Sequence, residues 1–312
     1  MTNLQARCRA LAPAATALAL VLHPTAARAQ NGSTSFESTI RQFSATSIEG
    51  YLQPMADVLV ANLGLGYFSA SPVPGRFSVA FEALVMSALI DDELKRYTAT
   101  LPAGFSPAEA QMPTIFGGQA PTVTHASNPA LTWRGSDGLL DDSDYFPTAV
   151  PQLRLGGLFG TEVAVRWFSS TVAALNLDEE DFPELELLGV GLRHSLNRYF
   201  ALPFDLAVSG SLNTLTFGDI VDLRSNSVGV QVGKSFGILG LFGGLSSDGG
   251  TMKLSYTSTD PQLPGSVNVD LDVDRTIRLS GGAGLRIGFM HLIGEASIGD
   301  VTSFAGGLRF GF

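Results

Sequence analysis

The residue pair best suited to covalent chemistry is His194-Ser195, in GLRHSLN. An imidazole beside a hydroxyl can act as base and nucleophile if a carboxylate orients the ring and donors meet an oxyanion. Adjacent residues on a strand point to opposite faces, so if Ser195 faces one side His194 faces the other. No spacing supplies the orienting carboxylate. The stretch HSLNRYFALP reads instead as a strand end entering a short turn, with Tyr199 and Phe200 at an interface. No catalytic residue is expected, and the chain is not expected to be an enzyme.

Asp270, Asp272 and Asp274 open like a calcium loop, but Arg275 stands where that loop needs Gly and Gly281 where it needs Glu. The four histidines, His23, His125, His194 and His291, have no metal-ligand spacing, and the lone Cys8 cannot form a thiolate cluster. The acidic runs 137–146 and 177–186 read as solvated outer segments, able at most to share divalent ions with phosphates. Glycines 281–284 lack a GxGxxG and a strand-to-helix context, so no nucleotide cofactor is expected. With a net charge of −10 the chain is a poor partner for nucleic acid. Neither metal nor cofactor is called for.

A third set is charged and spaced by twos: Glu82, Glu162, Arg166, Arg278, Arg286, Glu295 and Arg309. Each falls among small or polar residues on one strand face, with apolar residues on the other. Charges within a membrane are unfavourable unless hydrated or paired. These seven are the candidate lumen-lining residues of a transmembrane barrel, facing either a water-filled channel or a polar network against a plug.

The elements that would position them are strands. From Val267 to Phe289 the odd positions are apolar or small, with Arg275 the exception, and the even positions are polar or glycine. This run is about twice the roughly 9–11 residues that a tilted membrane strand needs. Its acidic start is expected to stand above the membrane and pair with 251–259 across the 259–265 tip. The same alternation joins Phe77, Val79, Phe81, Ala83 and Val85; Val163, Val165 and Trp167; Phe204, Leu206, Val208, Gly210 and Leu212; and Val228, Val230 and Val232. In SFAGGLRFGF the set Phe304, Leu308, Phe310 and Phe312 resembles the C-terminal insertion signal of bacterial outer-membrane barrels. The fold class is therefore all-β, an antiparallel transmembrane barrel of about twelve strands, ten or fourteen also satisfying the even-number rule.

Residues 1–29 combine Arg7 and Arg9, an apolar run from Leu11 to Leu22, and Ala27-Arg28-Ala29, the pattern of a secretory signal peptide. Its removal moves the formal charge from −10 to −13. Residues 30–60 carry Phe36, Ile40, Phe43, Ser47, Tyr51, Met55 and Val58 at helical spacing, with Pro54 expected to kink or split the helix. That segment is either a periplasmic helix under the barrel or a plug within it. The barrel is expected over 61–312, with a long loop at about 91–147. Short periplasmic turns are expected near 156–160, 234–238 and 288–291, and outer connections at 170–183, 218–223, 259–265 and 299–302. Both termini are expected on the periplasmic side.

The segments YLQPMADVLVANLGLGYFSAS, MPTIFGG, GVGLRHSLNRYFALPFDLAVSGSL, GVQVGKSFGIL and GLRFGF resemble an uncharacterised bacterial family of predicted outer-membrane proteins, a domain of unknown function, over nearly all of the chain after the signal. More remotely the chain is similar to the FadL/TodX group of hydrophobic-compound transporters, which carry an N-terminal plug. That group has an Asn-Pro-Ala element near its N-terminus, whereas Asn128-Pro129-Ala130 here lies in the long loop. The resemblance and the polar inward face together imply passive transport of small or hydrophobic solutes, with a small hydrophobic ligand as cargo. The alternative is a non-conducting structural or assembly barrel whose outer loops bind partners. Expected partners are outer-membrane lipid, lipopolysaccharide and the barrel-assembly machinery, in the bacterial cell outer membrane.

Overall fold

A computed structural model describes residues 45–69, 71–140, 143–170, 184–257 and 266–311. The signal peptide, Phe36, Ile40, Phe43 and Phe312 lie outside the described residues. One helix, α1 (Ala45–Gly64), precedes β1 (Ser78–Leu89). Four short strands follow, β2 (Arg96–Thr100), β3 (Glu109–Pro113), β4 (Thr122–His125) and β5 (Asn128–Arg134). The chain then runs through β6 (Tyr145–Leu158), β7 (Thr161–Ser169), β8 (Leu185–Ser195), β9 (Asp205–Phe217) and β10 (Val221–Phe236). It ends in β11 (Leu239–Thr257), β12 (Ser266–Ile287), β13 (Met290–Ile298) and β14 (Ser303–Gly311).

Strands β6 to β14 pair in sequence order, and β1 closes the ring between β6 and β14. The barrel thus has ten antiparallel strands, the smallest of the even counts expected. Closure leaves no strand edge to pair outside the ring. Strands β2 with β3 and β4 with β5 form two hairpins outside the wall, within the expected long loop; Asn128-Pro129-Ala130 opens β5. One end of the barrel carries short connections. Two are two-residue turns starting at Gly237 (φ 64°) and Gly288 (φ 63°), where a tight hairpin requires positive φ. The other end carries the 90–144 excursion, 170–184, 258–265 and two short links. We call them the turn end and the loop end.

Strand alternation sorts the wall. Val190, Leu192, Val208, Leu212, Val228, Val230, Ile277, Leu279, Leu292 and Phe304 point outward and are exposed, an apolar surface suited to lipid. Phe77, Phe159, Tyr199, Phe200, Phe236 and Phe289 are exposed at the turn end, where an aromatic girdle belongs. No helix among the described residues is long and apolar enough to cross a membrane, which says nothing about strands.

The long alternation in β12 does not keep to one face. Asp248 of β11 is opposite Thr276, but Gly250 is opposite Val273, so Asp274 and Arg275 together face Gly249 as a β-bulge. One extra residue reverses parity. Below the bulge Ile277 and Leu279 face outward; above it Val269 and Leu271 are buried inside, while Asp270 and Asp272 face out. The single apolar-outward face expected over 267–289 is thereby corrected, and Arg275, its one exception, lies on the bulge. The expected pairing of the acidic start with 251–259 is present from Thr251↔Asp272 to Thr257↔Ser266.

Helix α1 lies inside the ring. Ile48, Tyr51, Leu52, Ala56, Val58, Leu59, Val60 and Leu63 are all buried, so apolar residues surround it as in a core helix. They pack on Leu84, Met86, Val150, Leu187, Leu215, Leu223, Met252, Leu254, Val269 and Leu271 of the wall. Pro54 does not split the helix, which runs for 20 residues, about 30 Å, close to the thickness of a bilayer core. The segment is a plug and not a helix beneath the barrel. It enters from the loop end: the Tyr51 hydroxyl donates to the Asp137 carbonyl at 3.1 Å, and the Ile115 amide donates to the Tyr51 carbonyl at 3.0 Å. The chain then descends as an irregular segment to Arg76, whose carbonyl lies against Gly157 at the turn end, and turns up into β1. Residues 45–77 thus run the length of the lumen before the wall begins; the chain ends, expected on the periplasmic side, lie outside the described residues.

Candidate functional site

Among the described residues the buried charges are five arginines, Arg154, Arg166, Arg193, Arg278 and Arg309, and four carboxylates, Glu82, Glu162, Asp248 and Glu295. Strand register brings most of them together. Glu82 on β1 is directly opposite Arg309 on β14 and Gln152 on β6; Gln152 is opposite Arg166 on β7; Glu162 on β7 is opposite Arg193 on β8. Directly opposed residues are the pairs that interact across a sheet. Glu82 binds Arg154 at 2.8 Å and Arg309 at 3.4 Å, and Glu162 binds Arg154 at 2.6 Å and Arg193 at 3.2 Å. Farther round, Arg278 binds Asp248 at 2.9 Å.

The rest of the arginine capacity goes to the end of the plug helix. A helix C-terminus leaves its last carbonyls without intrahelical donors and carries partial negative charge. Arg166 donates to the Leu63 carbonyl at 2.9 Å and also to that of Leu65. Arg278 donates to the carbonyls of Ala61 at 3.1 Å and Gly64 at 2.9 Å. Arg154 donates to the Gly66 carbonyl, while the Gly66 amide donates to Glu295 at 3.0 Å. Gly66 has φ 74°, which a Cβ would strain, and it faces Leu84 and Arg166 at contact distance. Three wall arginines thus clamp one helix end.

Below the clamp, plug rings sit in notches of the wall. Tyr67 lies against Gly191, donates to Asn213 at 2.5 Å, and carries the Arg166 guanidinium 3.8 Å from its ring centroid. Phe68 lies against Gly244 and packs with Phe242 and Ile293. Ser69 is held by Gln231 through both its amide and its carbonyl, and by Arg193 and Arg309. Beside Ser69 and Arg193 a cavity of about 10 Å³ remains, which is about the room one water needs.

Of the seven candidate lumen residues, Glu82, Glu162, Arg166, Arg278, Glu295 and Arg309 are buried in this network. Arg286, paired with His291, shares their face but is exposed at the turn-end mouth. Arg154, Arg193 and Asp248 escaped the sequence reading. Parity within β8 could have found Arg193, since Gly189 and Gly191 share its face while Val190 and Leu192 point outward. Phe304 is outward and exposed; Leu308 and Phe310 share its face, half-buried, with Phe310 stacked near Phe289 at 6.3 Å.

His194 and Ser195 do not form a dyad. The His194 ring nitrogens contact Thr161 at 2.9 Å and Tyr199 at 3.2 Å. Ser195 lines the small interior cavity. Asp270 pairs with Lys253 at 3.5 Å and Asp272 accepts from Thr251 at 3.1 Å. Among the described residues no group of three or more potential ligands is placed to hold a metal ion. The arrangement of buried charges is suited to holding a helix inside the lumen.

A family model described as a family of unknown function, DUF6588, matches residues 9–312. The chain belongs to that family. No curated protein matches the sequence. Solved structures with similarity include OmpT, an outer-membrane protein of Vibrio cholerae, at 10% identity and TM-score 0.26, covering 76% of this chain and 100% of that one. The Ralstonia pickettii toluene transporter TbuX has 9% identity and TM-score 0.31, covering 76% and 89%. A TodX variant described as a monoaromatic hydrocarbon channel has 8% identity and TM-score 0.27, covering 81% and 92%. Scores this low carry no argument about lumen or cargo. The DUF6588 chain is an outer-membrane-type barrel on its own ring closure and outward apolar wall.

Proposed function

We propose that this protein is a plugged, non-conducting outer-membrane barrel that works as a structural platform, with its outer connections available to partners. One observation carries the reading: residues 45–77 fill the lumen from loop end to turn end, apolar in the upper half and clamped by arginines in the lower. Such a lumen offers no continuous water path. Lipid and lipopolysaccharide around the wall, and assembly machinery engaging the last strand, are partners under this reading.

Passive transport is the second reading, and it draws on the polarity of the lower lumen. Arginine–carboxylate contacts can exchange partners with water more readily than an apolar core can, so a displaced plug would leave a hydrated path. Conductance of the folded full-length protein in planar bilayers separates the two. The platform reading expects a silent wild type, with current appearing when Arg166 and Arg278 are both changed to Met. Steady current through the unmodified protein would overturn it.

A further inference from the structure

We propose that the barrel displays its own N-terminal segment on the outer face of the membrane, by threading the chain through its lumen. The direction of α1 carries the inference. Tyr51 bonds to Asp137 and Ile115 of the long excursion, and Gln53 donates to the Asp272 carbonyl above the β12 bulge at 2.9 Å. Farther along, Gly64 meets Arg278 in mid-barrel, Ser69 meets Arg309, and Arg76 reaches Gly157 at the turn end. The chain therefore travels from loop end to turn end, and whatever precedes Ala45 is joined to it at the loop end.

Three return paths to the other side are closed. The lumen around α1 is filled, with Ala56, Val58 and Leu63 at 0% exposure. The wall is hydrogen-bonded all round. The outside of the wall is the apolar band, and NGSTSFESTIRQFS at 31–44, with Glu37, Arg41 and six hydroxyl side chains, is costly to lay in lipid. Reach is not the obstacle, since about fourteen extended residues span roughly 45–50 Å. Space and solvation decide. Long connections face outward in outer-membrane barrels and short turns face the periplasm, so the loop end is the cell surface. This goes beyond the question of conduction, because it concerns which side the segment occupies and not whether ions pass.

Cys8 is the only cysteine, so single-cysteine variants in a Cys8→Ser background can be labelled uniquely. Intact cells are treated with a membrane-impermeant maleimide, and again after permeabilisation. Asp219→Cys reports the loop end, Ile238→Cys the turn end, Glu49→Cys the helix entrance and Ser33→Cys the preceding segment; Asp219, Ile238 and Glu49 are exposed. Folding of each variant is checked by heat-modifiable migration, and an epitope inserted after Ser33 provides a second probe if the Ser33→Cys variant misfolds. The proposal expects Asp219, Glu49 and Ser33 positions to label in intact cells and the Ile238 position only after permeabilisation. Labelling at Asp219 with a protected Ser33 position would overturn the threading, and labelling at Ile238 with protection at Asp219 would overturn the orientation.

Discussion

The Arg166 guanidinium lies over the Tyr67 ring at 3.8 Å and donates to the Leu63 carbonyl at 2.9 Å, so one wall side chain holds the plug both through an aromatic face and through the helix end. Cation–π contact strengthens when water is excluded. Arg166→Met should leave the Leu63 and Leu65 carbonyls and the Gln152 side chain without this donor and destabilise the barrel by about 3 kcal/mol, at the lower end for breaking a buried charged contact. Arg166→Lys should recover only part of that loss, because an ammonium lacks the planar fork. Thermal unfolding in detergent, compared across the three proteins, reads both effects.

Glu82 joins Arg154 to Arg309 with only 1% exposure. Glu82→Gln should cost more than Glu82→Gln combined with Arg309→Met, since the single change leaves two buried cations sharing one fewer carboxylate. A double-mutant cycle on unfolding free energies should give a coupling of about 1–3 kcal/mol for this contact. Additive effects would mean that the two side chains act independently.

The seat of Tyr67 depends on the missing side chain at Gly191. Gly191→Ala should push the ring out of its notch, lower the unfolding midpoint and expose the plug to protease, while ten-strand closure persists by circular dichroism. Adding Tyr67→Ala should relieve the overlap and restore part of the protease resistance. Further loss in the double variant would show that the notch has another role.

At the loop end the Tyr97 ring occupies the space beside Gly50, and burial pushes its phenol up to about 12. Gly50→Val should displace the ring, letting its ionisation fall toward the ordinary 10, as read by ultraviolet titration. Because the folded value exceeds the unfolded one, the stabilisation from this neutral phenol is intact below pH 10 and is lost as pH rises toward 12. An unchanged titration in Gly50→Val would show that the ring does not sense the helix.

The wall was legible because a period of two survives in single strands, and the turns at 237–238 and 288–289 are punctuated by glycine. The lumen charges were legible for the same reason: Glu162 and Arg166 share a parity in β7, as do Arg278 and Arg286 in β12. What alternation could not reveal was which side a face points to once a bulge intervenes, so Val269 and Leu271 looked as if they shared a face with Ile277 and Leu279. Nor could a helical stripe reveal an all-round partner, and Ile48, Leu52, Leu59 and Leu63 were missed because a plug buries every face. Arg154 lies in PQLRLGG, a stretch with too many prolines and glycines to advertise a strand, and only its pairing with β1 places it beside Glu82.

The plug and the ring also constrain each other in time. Residues 45–77 pass through a loop of strands whose seam joins β1, which directly follows the plug, to β14, the last strand. Chains seldom thread their own loops, and here the seam must either close around a segment already inside or admit a hairpin drawn through later. A finished barrel is then entangled as well as packed. Because Arg76 and β1 tether the segment at the turn end, withdrawal toward the loop end would leave the stretch after Gly64 still in the lumen; to clear the ring the helix must leave toward the turn end, drawing every residue before Ala45 down the lumen behind it. Release without parting the seam therefore has one direction.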